Sequence, residues 1–205
     1  FNDLMTETTY YLWIKDNSGN ISAKKEINIS GPSYCVDNTV YTGTLEQALQ
    51  IAQDGSTIEL LRDCTDTSTA TISNTNITLD VKNYTLTRTG TITINSNKVV
   101  EITGTGRITT GTSNVRTITN NGTLTVSSSI TIENMSTSSS YAPIYTNSSS
   151  WITNINDNVN IIGYYRGIYN YYGTVNINGG YIEAICNNSS AYGIYSPNSN
   201  TRTNM

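Results

Sequence analysis

Three acidic residues recur at a constant interval in the first half of the sequence. Glu59, Asp80 and Glu101 each stand in the middle of an apolar–polar–apolar triplet, and 21 residues separate one from the next. If the triplets stack, three carboxylates face the same way. Such a column could bind Ca²⁺, which prefers several carboxylate oxygens, or supply an acid–base pair. We favour a solvated acidic stripe relieved by Lys82 or Arg62, because catalytic carboxylates also need a cleft.

Tyrosines are concentrated toward the other end of the sequence. Eight of the 15 lie between positions 164 and 195. Aromatic rings with nearby hydroxyl and amide groups suit the faces of pyranose rings, and tyrosine is common at interfaces. The candidate glycan-binding residues are Tyr145, Tyr165, Arg166, Tyr169, Tyr171, Tyr172 and Tyr195. An equally weighted alternative is that the rings shield the sheet or pack against a neighbouring domain.

The three cysteines leave two interpretations open. Cys35 and Cys64 stand on either side of a predicted helix, and a disulfide between them would close a loop of 30 residues. Such a bond would stabilise the fold by restricting the unfolded chain. Two free thiols fit the sequence equally well. Cys186 has no evident partner, and an odd number of cysteines argues against a full disulfide framework.

The composition excludes several classes of chemistry. The chain has 205 residues, no histidine and a net charge of -4, with 11 Lys and Arg. Histidine-based acid–base catalysis and histidine metal sites are therefore excluded, and no basic run is present that could track nucleic-acid phosphates. No apolar stretch is long enough to span a membrane. Without a glycine-rich phosphate loop or a Cys-x-x-Cys pair, we expect no cofactor.

The elements that must position these residues are short repeated strands. Thr, Asn and Ser make up 84 of the 205 residues, which favours strands and turns over helices. From residue 57 onward, apolar residues recur at intervals of 21 to 29. Three strands per repeat predict one coil of a parallel β-helix with about six coils. The predicted inward ladders are Leu60, Val81, Ile102, Val126, Ile155 and Ile177; Leu86, Ile108, Ile132, Ile161 and Ile182; and Ile72, Ile94, Ile118, Ile144, Ile168 and Ile194.

Two further columns follow from the last of these ladders. We expect the residue directly after each isoleucine to stack outside the coils. The residue two positions after each isoleucine should have a structural role, forming hydrogen bonds from coil to coil and supporting tight turns. The outer column is predicted as Ser73, Asn95, Thr119, Tyr145, Tyr169 and Tyr195, and the structural one as Asn74, Ser96, Asn120, Thr146, Asn170 and Ser196.

The first 56 residues have a different pattern. Residues 1–31 predict a β-hairpin with its turn at residues 16–20, and residues 32–56 predict a linker and a helix. Thr44 and Gln47 fit a capping box for a helix over residues 44–54, whose apolar face would cover the first coil. We therefore predict a hairpin segment at 1–31, a linker and capping helix at 32–56, and a β-helix at 57–205 that is cut within a coil.

Two resemblances accompany these patterns. The segment YYLWIKDNSGNIS resembles the last two strands of bacterial immunoglobulin-like domains. The chain from about Tyr34 onward resembles the pectate-lyase-like right-handed β-helices of large bacterial surface proteins, through TLEQALQIAQDGSTIELL, NITLDVKNYTL, GIYNYYGTVNINGGYI and AYGIYS. The second resemblance implies an all-β, right-handed parallel β-helix. Its family includes lyases, hydrolases, adhesins and inert stalks, so it implies no single activity.

The functional expectation is a non-catalytic stalk or adhesin segment of a secreted or surface-attached bacterial protein. Its partners would be neighbouring domains of the same chain and a polysaccharide or host glycan bound by the tyrosines, with no nucleic acid and no membrane insertion. The alternative is a polysaccharide lyase or glycoside hydrolase with its active site here or beyond the sequence. That alternative predicts a groove with at least two carboxylates and an Arg or Lys.

Overall fold

The computed structural model describes residues 8–29, 31–111, 113–187 and 189–205, and the side chains of residues 11–26 and of those from 31 onward. The chain divides into two compact units, residues 1–32 and 33–205. The first seven residues of the predicted hairpin segment lie outside the described residues.

The first unit contains the predicted β-hairpin. Strands β1 (Thr8–Leu12) and β2 (Lys25–Ile29) pair antiparallel. In the turn between them, the Asp16 carboxylate accepts the backbone N–H groups of Ser18 and Asn20, each at 2.9 Å. This short-range bonding is typical of Asp in turns, and it lowers the pKa of Asp16 through its bonds to Asn20.

The second unit is a parallel β-solenoid of about six turns. The strands lie on three faces, here called the first, second and third. The second face is a six-stranded sheet, and the first and third faces belong to one 13-stranded sheet. The first face contains β5 (Ser56–Leu60), β8 (Ile77–Asp80), β11 (Val99–Thr103), β14 (Thr123–Val126) and β21 (Thr201–Asn204). The second contains β6 (Cys64–Asp66), β9 (Thr85–Arg88), β12 (Arg107–Thr109), β15 (Thr131–Asn134), β17 (Asn160–Gly163) and β19 (Tyr181–Ala184). The third contains β7 (Ala70–Ile72), β10 (Ile92–Ile94), β13 (Ile118–Asn120) and β20 (Tyr192–Tyr195).

Two longer strands join the third face to the first. Strands β16 (Ile144–Ile155) and β18 (Arg166–Ile177) each have 12 residues. The beginning of each pairs within the third face and its end pairs within the first face. The parallel register shifts in the middle of this pair, between Thr146 and Ile152, where the chain turns the corner.

Isoleucine, leucine and valine fill the interior because alternate residues of every strand point inward. The ladder predicted for the second face is confirmed in full, with Leu86, Ile108, Ile132, Ile161 and Ile182 in continuous register. Cys64 precedes Leu86 in the same column. The first four ladder residues are completely buried, and Ile182 packs against them.

The other two predicted ladders are wrong by two residues at one step each. On the third face, Ile118 pairs with Ile92, so Ile72 and Ile94 continue into Asn120 instead. On the first face, Ile102 pairs with Leu79 rather than with Val81. A shift of two residues keeps every side chain on the same side of the sheet, so the apolar–polar alternation fits both registers.

The predicted structural column is therefore partly an inward one. Asn120, Thr146 and Asn170 are in register and completely buried, below Ile72 and Ile94 of the same column. Asn120 donates through Nδ2 to the Ile152 carbonyl at 2.8 Å, and its Oδ1 accepts the Gly122 N–H at 2.9 Å. Thr146 donates to Asn170 Oδ1 at 2.6 Å. The two bonds of Asn120 satisfy backbone groups near the corner between the third face and the first, and the bond between Thr146 and Asn170 joins the side chains of two coils.

Left-handed backbone occurs elsewhere, in the turn that leads from the first face to the second. A residue with positive φ recurs there in successive coils: Lys82, Gly104, Ser128, Asn158 and Gly180. The expectation that the structural asparagine column supplies this conformation is wrong for Asn120 and Asn170, because both lie inside strands.

A cap covers the first coil. Strands β3 (Tyr34–Val36) and β4 (Val40–Thr42) form an antiparallel extension beside β5, and helix α1 (Leu45–Ile51) follows. The predicted capping box of Thr44 and Gln47 is confirmed, while the helix ends earlier than residue 54. Leu45 and Ala48 are buried against the interior. The helix thus covers apolar residues at the start of the solenoid.

Candidate functional site

The tyrosines predicted to share one column are in register on the third face. Tyr145 pairs with Tyr169, and Tyr169 pairs with Tyr195. The ring centroids of both pairs are 5.2 Å apart, with the planes inclined at 78° and 62°. Toward the cap, the column continues through Thr119, Thr93 and Thr71, so the predicted members Asn95 and Ser73 do not belong to it.

Register and alternation explain this arrangement. Ile144 and Thr146 point inward and are completely buried, so Tyr145 between them points outward, and Tyr169 does the same between Ile168 and Asn170. Adjacent coils are about 4.8 Å apart, which is close enough for rings in neighbouring coils to touch. The rings meet edge to face, the geometry that aromatic quadrupoles favour.

Two arginines lie on these rings. The Arg116 guanidinium is 3.5 Å from the Tyr145 ring centroid, and the Arg166 guanidinium is 4.3 Å from that of Tyr169 and 4.0 Å from that of Tyr195. A cation over an aromatic face is attracted by the ring quadrupole. The sequence reasoning included Arg166 and missed Arg116. Its position in the sequence could have identified Arg116, because each arginine stands two residues before an isoleucine of the ladder, Ile118 or Ile168.

Three further tyrosines extend the cluster. Tyr171 contacts Tyr169 with centroids 5.9 Å apart, Tyr172 contacts Tyr171 at 4.9 Å, and Tyr192 contacts Tyr195 at 5.1 Å. We call this surface the tyrosine–arginine face. Its members are Arg116, Tyr145, Arg166, Tyr169, Tyr171, Tyr172, Tyr192 and Tyr195.

The members of this face differ in access to solvent. Tyr145 is only 9% exposed and lies beneath Arg116. Burial raises the pKa of its hydroxyl, although the Arg116 charge acts in the opposite direction. Tyr169, Tyr171, Tyr172 and Tyr195 are half-buried, and Tyr192 is exposed. Tyr145 therefore supports its neighbours, and the other tyrosines provide the accessible surface.

Tyr165 is placed differently from the other candidate residues. Its ring contacts Tyr164, with centroids 5.1 Å apart, and the nearby Cys186 thiol raises the pKa of its hydroxyl. The described rings of the tyrosine–arginine face make no ring contact with Tyr165. Tyr165 stands just before β18, at the corner where the chain passes from the second face to the third. This corner separates its ring from those of the tyrosine–arginine face, although Tyr165 is next to Arg166 in the sequence.

The predicted column of three carboxylates is wrong. Glu59 and Asp80 are in register, but Glu101 pairs with Thr78, because the first face is shifted by two residues at this step. Lys82 Nζ lies 2.5 Å from Glu59 Oε1 and 2.8 Å from Asp80 Oδ2. These two carboxylates raise the pKa of Lys82 by accepting its hydrogen bonds.

The Lys82 ammonium therefore occupies the position between the two carboxylates that a cation would take. Glu101 accepts a hydrogen bond of 2.6 Å from the Ser127 hydroxyl instead. In the ranges that the structure describes, no three Cys, Asp or Glu side chains are grouped so that they could hold a metal ion. Of the three acidic residues, Glu59 and Asp80 are therefore ion-paired with Lys82, and Glu101 stands apart from them.

Cys35, Cys64 and Cys186 are free thiols, so the disulfide weighed between Cys35 and Cys64 is not formed. Cys64 Sγ lies 3.6 Å from the Tyr34 hydroxyl, while Cys35, one residue further along β3, interacts with Tyr41 and Glu59. Adjacent residues of a strand point to opposite sides, so the two sulfurs are directed away from each other. Burial raises the pKa of both thiols.

A buried ion pair under the cap is a further feature that sequence reasoning missed. Arg88 is completely buried, and its Nη1 lies 2.9 Å from Asp66 Oδ2 without directing an N–H at that oxygen. Asp66 Oδ2 also accepts the Leu45 N–H at 2.9 Å. The sequence around Asp66 and Arg88 is typical of any strand of the solenoid. The two residues come together because they are paired in neighbouring strands.

Comparison with known proteins gives no match: no family model, no curated protein and no solved structure is significantly similar to this chain. Among the described residues, no helix has the length and apolar character needed to cross a membrane.

Proposed function

We propose that this chain is a rigid, non-catalytic segment of a secreted or surface-attached bacterial protein, and that its tyrosine–arginine face binds a glycan. The immunoglobulin-like and pectate-lyase-like resemblances support the surface setting. The register of Tyr169 and Tyr195 is the observation that carries the binding proposal.

A row of phenol rings suits a saccharide for two physical reasons. The C–H faces of a pyranose pack against an aromatic ring, while the phenol and neighbouring amide groups accept and donate hydrogen bonds at its edge. A sugar ring is also about as long as the spacing between coils. An oligosaccharide lying along the solenoid axis could therefore place successive rings against tyrosines of successive coils.

The surroundings of the face fit a binding role. The neighbouring segments are rich in Ser, Asn, Gly and Tyr, a combination that offers rigid aromatic contacts and adaptable hydrogen bonding. The solenoid provides a stiff support for Tyr145 and Tyr169, because each is held between two completely buried residues of its strand. Burial of Tyr145 and the stacking of Arg166 fix the rings before any ligand arrives, which reduces the entropy lost on binding.

The alternative lyase or hydrolase activity has weaker support. Its best-placed carboxylates, Glu59 and Asp80, are both ion-paired with Lys82. The Lys82 ammonium occupies both carboxylates, so neither is free to exchange a proton with a substrate.

A glycan array tests the proposal with three proteins. These are the wild type, the double variant Tyr169→Ala/Tyr195→Ala, and the control Tyr181→Ala, which removes an exposed tyrosine from the second face. Two aromatic contacts of about 1 kcal/mol each predict a loss of affinity of roughly 30-fold in the double variant, at 1.4 kcal/mol per tenfold. The control should bind like the wild type.

Circular dichroism spectra must show that both variants are folded. Undiminished binding by the folded double variant would refute the proposed site. If the folded wild type binds no glycan, the spacer role remains and the binding proposal is rejected.

A further inference from the structure

The two arginines of the tyrosine–arginine face differ from three other cations of the solenoid, which are ion-paired. Lys82, Arg88 and Arg107 each lie within 3.1 Å of a carboxylate. In the part of the chain that the structure describes, Arg116 and Arg166 have no carboxylate within ion-pairing distance. Each has a buried Nε atom with no hydrogen-bond partner. Their charges are thus held on an aromatic surface without a counter-charge.

The stacking leaves these guanidinium groups able to bind an anion. A guanidinium held over a ring still has N–H groups that do not point at the ring, and these can bind a carboxylate or sulfate with two parallel hydrogen bonds. Arg166 is half-buried and lies against two rings. Its orientation is therefore fixed before a ligand binds.

The two guanidinium groups repeat with the solenoid. Arg116 and Arg166 each stand two residues before an isoleucine, and Ile118 and Ile168 are in one column with Ile144 between them. Each guanidinium also reaches a tyrosine of the following coil, Tyr145 or Tyr195. Equivalent positions two coils apart are about 10 Å apart along the axis. Ala142, which is buried, occupies the corresponding position in the coil between them.

We infer that the glycan bound by this face is acidic and carries one anionic group on every second sugar. This inference rests on the proposed function. Two sugars of an extended chain span about the same length as two coils, so the anionic groups would meet Arg116 and Arg166 while the sugar rings between them pack on tyrosines. A chain with a charge on every sugar would place one anion against phenol rings with no cation.

Titration calorimetry with oligosaccharides of equal length tests this inference. The first probe is a hyaluronan oligosaccharide, which has one carboxylate for every two sugars. The second is the same oligosaccharide after reduction of its carboxylates to alcohols, and the third is oligogalacturonate, which has a carboxylate on every sugar. The proteins are the wild type, Arg116→Gln/Arg166→Gln, and the control Arg107→Gln, an arginine of the second face that is paired with Glu133.

The wild type should bind the hyaluronan oligosaccharide at least tenfold more tightly than either other probe. Arg116→Gln/Arg166→Gln should remove the preference for the acidic probe, so that it binds the hyaluronan oligosaccharide and the neutral probe equally, while Arg107→Gln should have no effect. Equal binding of the acidic and neutral probes by the wild type would overturn this inference and leave the proposed function standing. Tighter binding of oligogalacturonate would overturn the two-sugar spacing. Failure of every probe to bind would count against both proposals.

Discussion

The Asp66 carboxylate, in strand β6 beneath the cap, makes several buried contacts that hold the cap to the solenoid. Its Oδ2 accepts the Leu45 N–H at 2.9 Å and lies 2.9 Å from Arg88 Nη1, and the Tyr34 hydroxyl is 3.5 Å away. Its Oδ1 accepts the Ser68 hydroxyl at 2.9 Å. One side chain therefore joins the start of helix α1, strand β3 and two coils of the second face. We predict that Asp66→Ala destabilises the solenoid more than any exposed charge substitution.

The size of this effect follows from burial. Arg88 is completely buried, so removal of Asp66 leaves an uncompensated charge in the interior, which costs about 3–5 kcal/mol. The unsatisfied Leu45 N–H adds about 1 kcal/mol. With a urea dependence of about 2 kcal/mol per molar, the unfolding midpoint should fall by roughly 2–3 M. Replacement of both charges, as Asp66→Leu/Arg88→Met, should recover much of this loss because no charge remains buried.

The assay is urea unfolding followed by far-ultraviolet circular dichroism. Arg107→Gln is the matched control, because Arg107 is 49% exposed and its pair with Glu133 should be worth at most about 1 kcal/mol. A loss below 1 kcal/mol for Asp66→Ala would refute the reasoning. So would a double replacement that is less stable than the single one.

Three other predictions follow from the described contacts. Asn120→Ala should cost about 2–3 kcal/mol in the same assay, because the Gly122 N–H and the Ile152 carbonyl lose their buried partner; a loss below 0.5 kcal/mol, within the usual range for a surface change, would contradict it. Burial acts to raise the pKa of Asp66, but the Leu45 N–H and the Arg88 charge outweigh it and lower that pKa. The stabilisation from Asp66 is therefore complete above its unfolded-state pKa of about 3.9 and is lost as the pH falls through the lower folded-state value; a pH series should show this loss in the wild type and a smaller one in Asp66→Asn. A thiol assay in denaturant without reductant should detect all three cysteines, whereas detection of one would indicate the Cys35–Cys64 disulfide.

The sequence was sufficient for the solenoid and for one complete column. Apolar residues recur at the interval of one coil, and the second-face ladder from Leu86 to Ile182 is correct at every step. The tyrosine column is also in register as predicted, because the spacing from Ile144 to Ile168 and Ile194 has no competing alignment. The helix was recognisable from its capping box, since Thr44 and Gln47 form local bonds that do not depend on the rest of the fold.

The errors have a common physical origin. On the third face, Ala70, Ile72, Ile92 and Ile94 are all apolar and inward, so a register shifted by two residues is equally consistent with the sequence. The same ambiguity joined Glu101 to a column that it does not share. The contacts of Arg88 with Asp66 and of Arg116 with Tyr145 lie at other steps and depend on where the long arginine side chains turn, which spacing alone does not show.

The most direct test of the account is a nuclear magnetic resonance titration that follows the tyrosine ring signals while an oligosaccharide identified on the array is added. The account predicts that the ring signals of Tyr169 and Tyr195 shift together with ligand concentration, while those of Tyr181, on the second face, remain unchanged. Shifts confined to Tyr181 or to other rings outside the tyrosine–arginine face, or no shift of Tyr169 and Tyr195 at saturation, would contradict the proposal that this face binds glycan.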